Sequence, residues 1–97
     1  MFPVDYAIVG GGITGLYCAL KISQKSSDKT ILIIESDSEL GGRIRTNYAK
    51  GFQVEKGAAR FSENHETLMS LIHEFKLEDE MLPIPSEKSF VYKNKPI

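Results

Sequence analysis

The fold of this 97-residue chain is decided by residues 4–20, which read VDYAIVGGGITGLYCAL. The apolar, partly β-branched run Val4–Val9 stops at three glycines and predicts a strand buried on both faces. Four apolar residues then recur at the spacing of one helical stripe: Ile13, Leu16, Tyr17 and Leu20. The pattern predicts a buried strand, a glycine turn and an amphipathic helix that packs on a sheet.

A second strand is predicted after this helix. The polar stretch Ser23–Thr30 is expected to end the helix, and the apolar run Ile31–Ile34 then has the composition of a buried parallel strand that ends at Glu35. The order strand, helix, strand implies a right-handed crossover between parallel strands. The predicted fold class is therefore α/β, with a Rossmann-like βαβ unit at its start.

Further elements are predicted beyond Glu35. The double glycine opens a loop, Asn64 suits the N-cap of a second helix that reaches Lys76, and Pro83 and Pro85 end anything helical before them. In that helix four apolar residues share one face: Leu68, Leu71, Ile72 and Phe75. The remaining predicted elements are a hairpin of Ile44–Tyr48 and Phe52–Glu55 across Ala49-Lys50-Gly51, a strand at Ser89–Tyr92 and a turn at Asn94-Lys95.

Gly10, Gly12 and Gly15 form the motif G-x-G-x-x-G, in which each glycine has a separate role. The first allows the turn, the second lets a pyrophosphate approach the backbone, and the third allows the helix to pack on the strand. Glu35 ends the second strand twenty residues after Gly15, where a carboxylate would bind a ribose diol, and Asp37 adds to its repulsion of a 2'-phosphate. A glycine-rich turn in an α/β domain without nucleotide remains the alternative.

Composition excludes several other functions. With 12 basic and 13 acidic residues the net charge is -1, so a basic face for nucleic acid is not expected. Cys18 is the single cysteine, which rules out an internal disulfide, favours a reducing, cytoplasmic location and predicts core packing for its thiol. No metal-ligand spacing occurs. The uncharged stretch Tyr6–Leu20 follows Asp5 and holds four glycines, so neither a signal peptide nor a membrane span is predicted.

A second motif carries a resemblance to a family. Residues 35–46, ESDSELGGRIRT, resemble the E-x-x-x-x-x-G-G-R-x-x-T signature of the flavin-containing amine oxidase superfamily, which includes monoamine and polyamine oxidases, protoporphyrinogen oxidase and phytoene desaturases. The resemblance implies FAD as cofactor, with Gly41 and Gly42 letting the loop pass close to its pyrophosphate and Arg43 beside the phosphates.

The resemblance continues downstream. Residues 52–61, FQVEKGAARF, are similar to the family segment in which a strand ending in D/E-x-G-A leads the backbone past the flavin, and the second helix matches a further family stretch. In this chain the D/E-x-G-A segment implies flavin-side positions for Gly57, Ala58, Ala59 and Arg60. Asp37 and Glu39 depart from the family, many members of which carry basic residues there, so the contacts of those residues with adenosine are not carried over.

These resemblances imply that residues 1–97 are the N-terminal part of an FAD-binding domain, without the substrate domain. The whole protein is then expected to oxidise a C–N bond of a small-molecule amine, with hydride transfer to FAD and reoxidation by oxygen. No catalytic residue is assigned, and the chain alone is expected to be inactive and to bind FAD weakly or not at all, because only one mononucleotide half is present. The expected cofactor-binding residues are Gly10, Gly12, Ile13, Thr14, Gly15, Glu35, Gly41, Gly42, Arg43, Gly57, Ala58, Ala59 and Arg60.

Two alternatives stay open on these residues. A desaturase or dehydrogenase of the same superfamily would act on a C–C bond, and a protein-binding module would keep the fold without flavin. The presence of Gly15, Glu35 and Arg43 together argues against the protein-binding module, because a site that no longer binds FAD would not need all three residues.

Overall fold

The computed structural model describes residues 3–84, so the predicted strand Ser89–Tyr92 and its turn lie outside the described residues. The chain divides into two compact units, Met1–Ala59 and Arg60–Ile97. No helix among the described residues has the length and apolarity that crossing a membrane requires.

The first unit begins with the predicted βαβ element. Strand β1 (Tyr6–Val9) pairs in parallel with β2 (Ile31–Ile34) in the register Tyr6 to Ile31 and Val9 to Ile34. Side-chain and backbone bonds hold both ends of this pairing: the Thr30 amide donates to Asp5 Oδ2 at 2.8 Å, and the Gly10 amide donates to the Ile34 carbonyl at 2.7 Å. The α/β prediction is thus confirmed.

Helix α1 spans Ile13–Lys25 and continues past Ser23, where the polar stretch was expected to end it. Ser23 turns its hydroxyl back to the Leu20 carbonyl at 2.8 Å, a bond that a helix accommodates, and the Ser26 amide still reaches the Ile22 carbonyl at 2.8 Å. Polar residues therefore extend the exposed side of the helix rather than end it.

The prediction that β1 is buried on both faces is wrong for the described residues. Three of its four residues are exposed, and Val9 is 84% exposed. Within residues 3–84, α1 is the one other element with more than marginal contact to β1 and β2. A two-stranded sheet with a helix against it leaves apolar side chains on its other face in solvent.

A hairpin completes the regular structure of the first unit. Strand β3 (Thr46–Ala49) pairs antiparallel with β4 (Phe52–Glu55), and Lys50 and Gly51 form a two-residue turn with φ of 50° and 81°. Two positive φ values are typical of a type I′ turn, which suits the twist of the flanking strands and places Ala49 in the strand instead of the turn.

The second unit contains α2 (Glu66–Glu74) and a short 3-10 helix at Glu78–Glu80. His65, not the predicted Asn64, is the N-cap residue, because Ser62 forms a turn that accepts the Asn64 amide on its hydroxyl and the His65 amide on its carbonyl. The helix ends at Glu74, with Phe75 as its C-cap. Ile72, on the predicted apolar face, is buried.

Candidate functional site

The glycine turn between β1 and α1 has the conformation that its motif predicts. Gly10 has φ of +102°, a value that residues with a side chain rarely adopt. A Cβ atom on Gly15 would lie 2.0 Å from the Gly10 carbonyl oxygen and 3.2 Å from the Ile8 side chain, so only glycine lets α1 start this close to β1. Gly12 differs, since the nearest atom to a Cβ there is 3.9 Å away and the space over its backbone is open.

The N-terminus of α1 presents unpaired amide groups. Its N-cap Gly12 has no side chain to bond, no acidic residue lies in the first turn, and the first helical bond runs from the Leu16 amide to the Gly12 carbonyl at 3.0 Å. Across residues 3–84, the amides of Ile13, Thr14 and Gly15 donate to no protein acceptor. Free donors at the positive end of a helix dipole form an anion site.

Glu35, at the end of β2, points its carboxylate back at this turn. Its Oε1 accepts the Gly11 amide at 3.0 Å and its Oε2 accepts the Asp37 amide at 3.1 Å. The Asp37 amide first and the Gly11 amide second hold the pKa of this half-buried carboxyl below its ordinary value. Glu35 is therefore a fixed anion with lone pairs left for hydroxyl donors.

The double-glycine loop lies directly against the first motif. The Gly41 amide donates to the Gly11 carbonyl at 2.8 Å, and Gly12 and Gly41 form an isolated parallel bridge. Gly42 has φ of +59°, and a Cβ atom on it would stand 3.2 Å from the Gly12 Cα atom. Two motifs that are separated by about thirty residues of sequence therefore share one backbone surface.

A third segment with a glycine, Gly57, follows the hairpin and pairs with the residues after the double glycine. After β4 the chain continues its pairing, with the Lys56 amide donating to the Arg45 carbonyl at 2.8 Å and the Ala58 amide to the Arg43 carbonyl at 3.1 Å. A Cβ atom on Gly57 would lie only 1.7 Å from the Arg43 oxygen. The close pairing therefore requires glycine at position 57.

A cleft of about 920 Å³ opens between these segments, and its size suits a ligand of drug or cofactor dimensions. Ten of the predicted site residues line it: Gly10, Gly12, Ile13, Thr14, Gly15, Gly41, Gly42, Arg43, Gly57 and Ala58. Glu35 and Ala59 are not among the lining residues, and Arg60 is an exposed residue that begins the second unit.

Five lining residues were not predicted: Ile8, Val9, Cys18, Ile44 and Lys56. The prediction of core packing for Cys18 is wrong, because the thiol is exposed and faces the cleft. Helical spacing could have indicated this, since Cys18 follows Thr14 by four residues and such pairs share a face.

The cleft also holds a cation without a partner. Arg43 lines it, and in the part of the chain that the structure describes no acidic side chain pairs with this guanidinium. Arg43 can therefore meet an anion at the α1 N-terminus without first breaking an ion pair.

Known proteins resemble this chain over most of its length. A family model described as an NAD(P)-binding Rossmann-like domain matches residues 8–75. Coproporphyrinogen III oxidase of Mycobacterium tuberculosis (strain ATCC 25618 / H37Rv) is 33% identical over 93 residues, which are 95% of this chain and 21% of the relative. Protoporphyrinogen oxidase 2, chloroplastic/mitochondrial, of Arabidopsis thaliana is 30% identical over 89 residues, 91% of this chain and 17% of the relative.

A solved structure of putrescine oxidase, the wild type bound to putrescine, superposes with a TM-score of 0.65 at 32% identity and covers 75% of this chain and 16% of that one. The chain thus spans about a fifth of the length of the curated relatives it matches. With the β1 to α1 turn, the acid after β2 and the double-glycine loop in family order, this chain belongs to the NAD(P)-binding Rossmann-like family, as the N-terminal nucleotide-binding region of the flavin-containing amine oxidase superfamily.

Proposed function

We propose that this chain is the N-terminal part of an FAD-binding domain and that its cleft holds the ADP portion of FAD. The observation that carries the proposal is the convergence of three glycine segments on the unpaired amides of α1. Pyrophosphate is the ligand chemistry that suits them, because its oxygens accept many hydrogen bonds in a small volume and it tolerates a purely backbone surface.

The residues present fit such a group. The backbone over Gly12 is open where a pyrophosphate would approach, and the amides of Ile13, Thr14 and Gly15 supply donors. Arg43 adds a charge that can bind phosphate oxygens, and the first turn of α1 contributes no carboxylate that would repel them. This explains how a chain with no excess of basic residues could hold a charged cofactor.

Glu35 and the segment after β4 would bind the two ends of the ligand. Glu35 keeps acceptor capacity after its bonds to Gly11 and Asp37, so its carboxylate would take the adenosine ribose hydroxyls. Gly57, Ala58, Ala59 and Arg60 would lie toward the flavin, a role that rests on the family resemblance.

The whole protein that contains this region is proposed to be a flavin-dependent oxidoreductase. When bound, FAD supplies the redox chemistry by accepting a hydride equivalent. The described residues bind and orient it, and none of them is assigned a catalytic role. Oxidation of an amine C–N bond is supported by the match to putrescine oxidase, whereas the curated relatives favour a porphyrinogen as a second candidate substrate.

The first experiment measures flavin in the whole protein. We expect a purified protein with flavin absorbance, whose anaerobic bleaching by putrescine or by coproporphyrinogen III would separate the two substrates. A colourless protein that does not take up FAD on reconstitution would contradict the enzyme proposal and favour a binding module with this fold.

The second experiment uses the 97 residues and their single thiol. Because Cys18 lines the cleft, bound ADP or FAD should slow its reaction with a thiol reagent such as DTNB. The half-site should protect weakly, at ligand concentrations above the micromolar range, and adenosine without phosphates should not protect at equal concentration. Equal protection by adenosine would contradict the pyrophosphate assignment, and micromolar or tighter FAD binding would contradict the half-site expectation.

A further inference from the structure

A cluster of charged side chains, Asp37, Glu39 and Arg45, is bonded to the double-glycine loop that lines the cleft. The Arg45 guanidinium pairs with Asp37 through a short Nη2 to Oδ2 contact and lies 3.7 Å from Glu39 through Nη1 to Oε2. Asp37 and Glu39 are the two positions where this chain carries acids and many members of the family carry basic residues. The cluster is therefore a feature of this chain that the family signature does not supply.

The same guanidinium also reaches the backbone of the loop. Arg45 Nε donates to the Gly42 carbonyl at 3.1 Å, and this side chain is 30% exposed, against 52% for Asp37 and 74% for Glu39. A guanidinium can do this because its donors point in different directions from one rigid plane, which an ammonium group cannot match.

Gly42 is the residue that needs such support. Its φ of +59° and the +116° of Gly41 are left-handed values, and this turn brings Gly42 against Gly12. The neighbouring bonds, from the Gly41 amide to Gly11 and from the Ile44 amide to Gly41, hold the loop at the first glycine. The bond from Arg45 to the Gly42 carbonyl holds the loop at its second glycine, next to Arg43 in the sequence.

Asp37, which pairs with Arg45, is also bonded to Glu35, the acid proposed to bind the ribose. The Asp37 amide donates to Glu35 Oε2 at 3.1 Å, while the Asp37 side chain takes Arg45 and the Ser38 amide. The Ser38 amide first and the Arg45 charge second lower the pKa of Asp37, so its carboxyl is an anion at neutral pH. One side chain thus connects the segment after β2 with the double-glycine loop.

We propose that Arg45 is a positioning residue, which fixes the Gly41–Gly42 turn and the Glu35–Asp37 segment relative to one another so that the cleft is preformed. The ligand assignment rests on the proposed function, but the preformed geometry does not. Arg45 bonds to Asp37, Glu39 and Gly42, whereas Arg43 is the arginine that lines the cleft without an acidic partner among the described residues.

The test is amide hydrogen exchange on the ligand-free 97-residue chain, resolved by residue. In Arg45→Ala the amides of Gly41 and Ile44, which donate to the Gly11 and Gly41 carbonyls, should exchange roughly 3- to 10-fold faster, the scale of a lost charge-assisted bond at a partly exposed site. Amides that bond across the β1–β2 pairing, such as that of Tyr6, which donates to the Thr30 carbonyl at 3.1 Å, should be unchanged. Lys29→Ala is the matched control, because it removes a cation at the other end of β2 from Glu35 and should leave the loop amides unchanged.

Two further variants separate position from charge. Arg45→Lys keeps the charge near Asp37 but lacks the second directed donor, so it should recover less than half of the lost protection. Asp37→Asn should raise exchange at the same amides, because it removes the anchor. Full recovery in Arg45→Lys, or equal acceleration at β1, β2 and the loop, would overturn the proposal.

Binding distinguishes this proposal from the function it serves. In the whole protein Arg45→Ala should weaken FAD affinity by roughly 3- to 10-fold, while Lys29→Ala should not. If wild type binds no FAD but the exchange pattern appears, the positioning role stands and the proposed function fails. If FAD binds and Arg45→Ala changes neither exchange nor affinity, the positioning role fails alone.

Discussion

The two α-helices within residues 3–84 begin in opposite electrostatic states. Helix α1 starts at Gly12 with no acid in its first turn, whereas α2 starts at His65 and carries Glu66 there. Neither has a side-chain cap bond. The helix dipole is therefore compensated by the chain itself in α2 and left for an external anion in α1. The comparison shows that an anion site is made as much by what a first turn lacks as by its free amides.

The largest effect is expected from Gly15→Ala, which tests whether α1 can keep its start. The added Cβ would lie 2.0 Å from the Gly10 oxygen, so β1 and α1 must separate. We expect a loss of about 3 kcal/mol in the free energy of unfolding, typical of overpacking against backbone, and loss of FAD binding. Urea denaturation measures the first quantity, and flavin content of the whole protein the second. Unchanged stability would contradict the close approach of Gly10 and Gly15.

Gly12→Ala is the matched partner of that variant, since its Cβ has 3.9 Å to the nearest atom. Stability should change by no more than about 1 kcal/mol, the scale of N-cap substitutions. FAD affinity of the whole protein should fall by about 10-fold or more, because the methyl group occupies the open backbone surface; 10-fold is about 1.4 kcal/mol. Full affinity in a folded Gly12→Ala protein would place the pyrophosphate elsewhere.

A pair of variants exchanges the electrostatics of the two helices. Thr14→Glu gives α1 an acid like Glu66, and it should weaken ligand binding roughly 5-fold, since a charge at a helix end is worth about 1 kcal/mol. Glu66→Gln removes the acid of α2 and should cost about 0.3–1 kcal/mol of stability with no change in FAD affinity. Titration with FAD and thermal unfolding give the two readouts. If both variants lower affinity equally, the difference between the helix ends is not what selects the anion.

The smallest effect concerns pH and the Glu35 carboxyl that faces the glycine turn. Bonds from the Asp37 and Gly11 amides lower its pKa in the folded state below the ordinary 4.5. The folded state therefore binds this proton less readily than the unfolded state does. The stabilisation is complete above pH 4.5 and is lost as pH falls through the lowered folded pKa. Asp37 and Glu55 have lowered pKa values too and add to the same acid limb.

Urea unfolding between pH 3 and 7 checks this dependence. The free energy of unfolding should fall on the acid side, and Glu35→Gln should make the fall shallower without removing it. An identical acid limb in wild type and Glu35→Gln would mean that the carboxylate contributes nothing to the turn.

Local signals predicted the βαβ unit, the hairpin and the first glycine turn. A glycine turn, a buried-type apolar run and helical spacing each depend on nearby residues, so Gly10, Gly15 and Ile31–Ile34 could be assigned without a structure. Of the ten predicted residues that line the cleft, five belong to the first glycine motif: Gly10, Gly12, Ile13, Thr14 and Gly15. The other five were implied by the family resemblance: Gly41, Gly42, Arg43, Gly57 and Ala58.

The wrong or missing predictions concern features that depend on distant or competing contacts rather than on neighbouring residues. Asparagine is a common N-cap residue, but the Asn64 amide donates to the Ser62 hydroxyl in a turn before the helix. The N-cap residue of α2 is therefore His65. The exposure of Val9 depends on what packs on the second face of β1, which an apolar run does not report. Arg45 and Cys18 were missed because an ion pair across eight residues and a cleft wall are products of the fold.

The hairpin has a kinetic consequence. Its strands are joined by the two-residue turn at Lys50-Gly51, whereas β1 and β2 meet only after a crossover that brings Tyr6 to Ile31. Short loops close sooner than long ones, and hairpins form in about 1–10 μs, so we expect β3 and β4 to pair before the parallel strands do. Because the Ala58 amide donates to the Arg43 carbonyl just beyond this hairpin, the cleft wall at Gly57 and Ala58 would form early in folding and the glycine turn between β1 and α1 would form late.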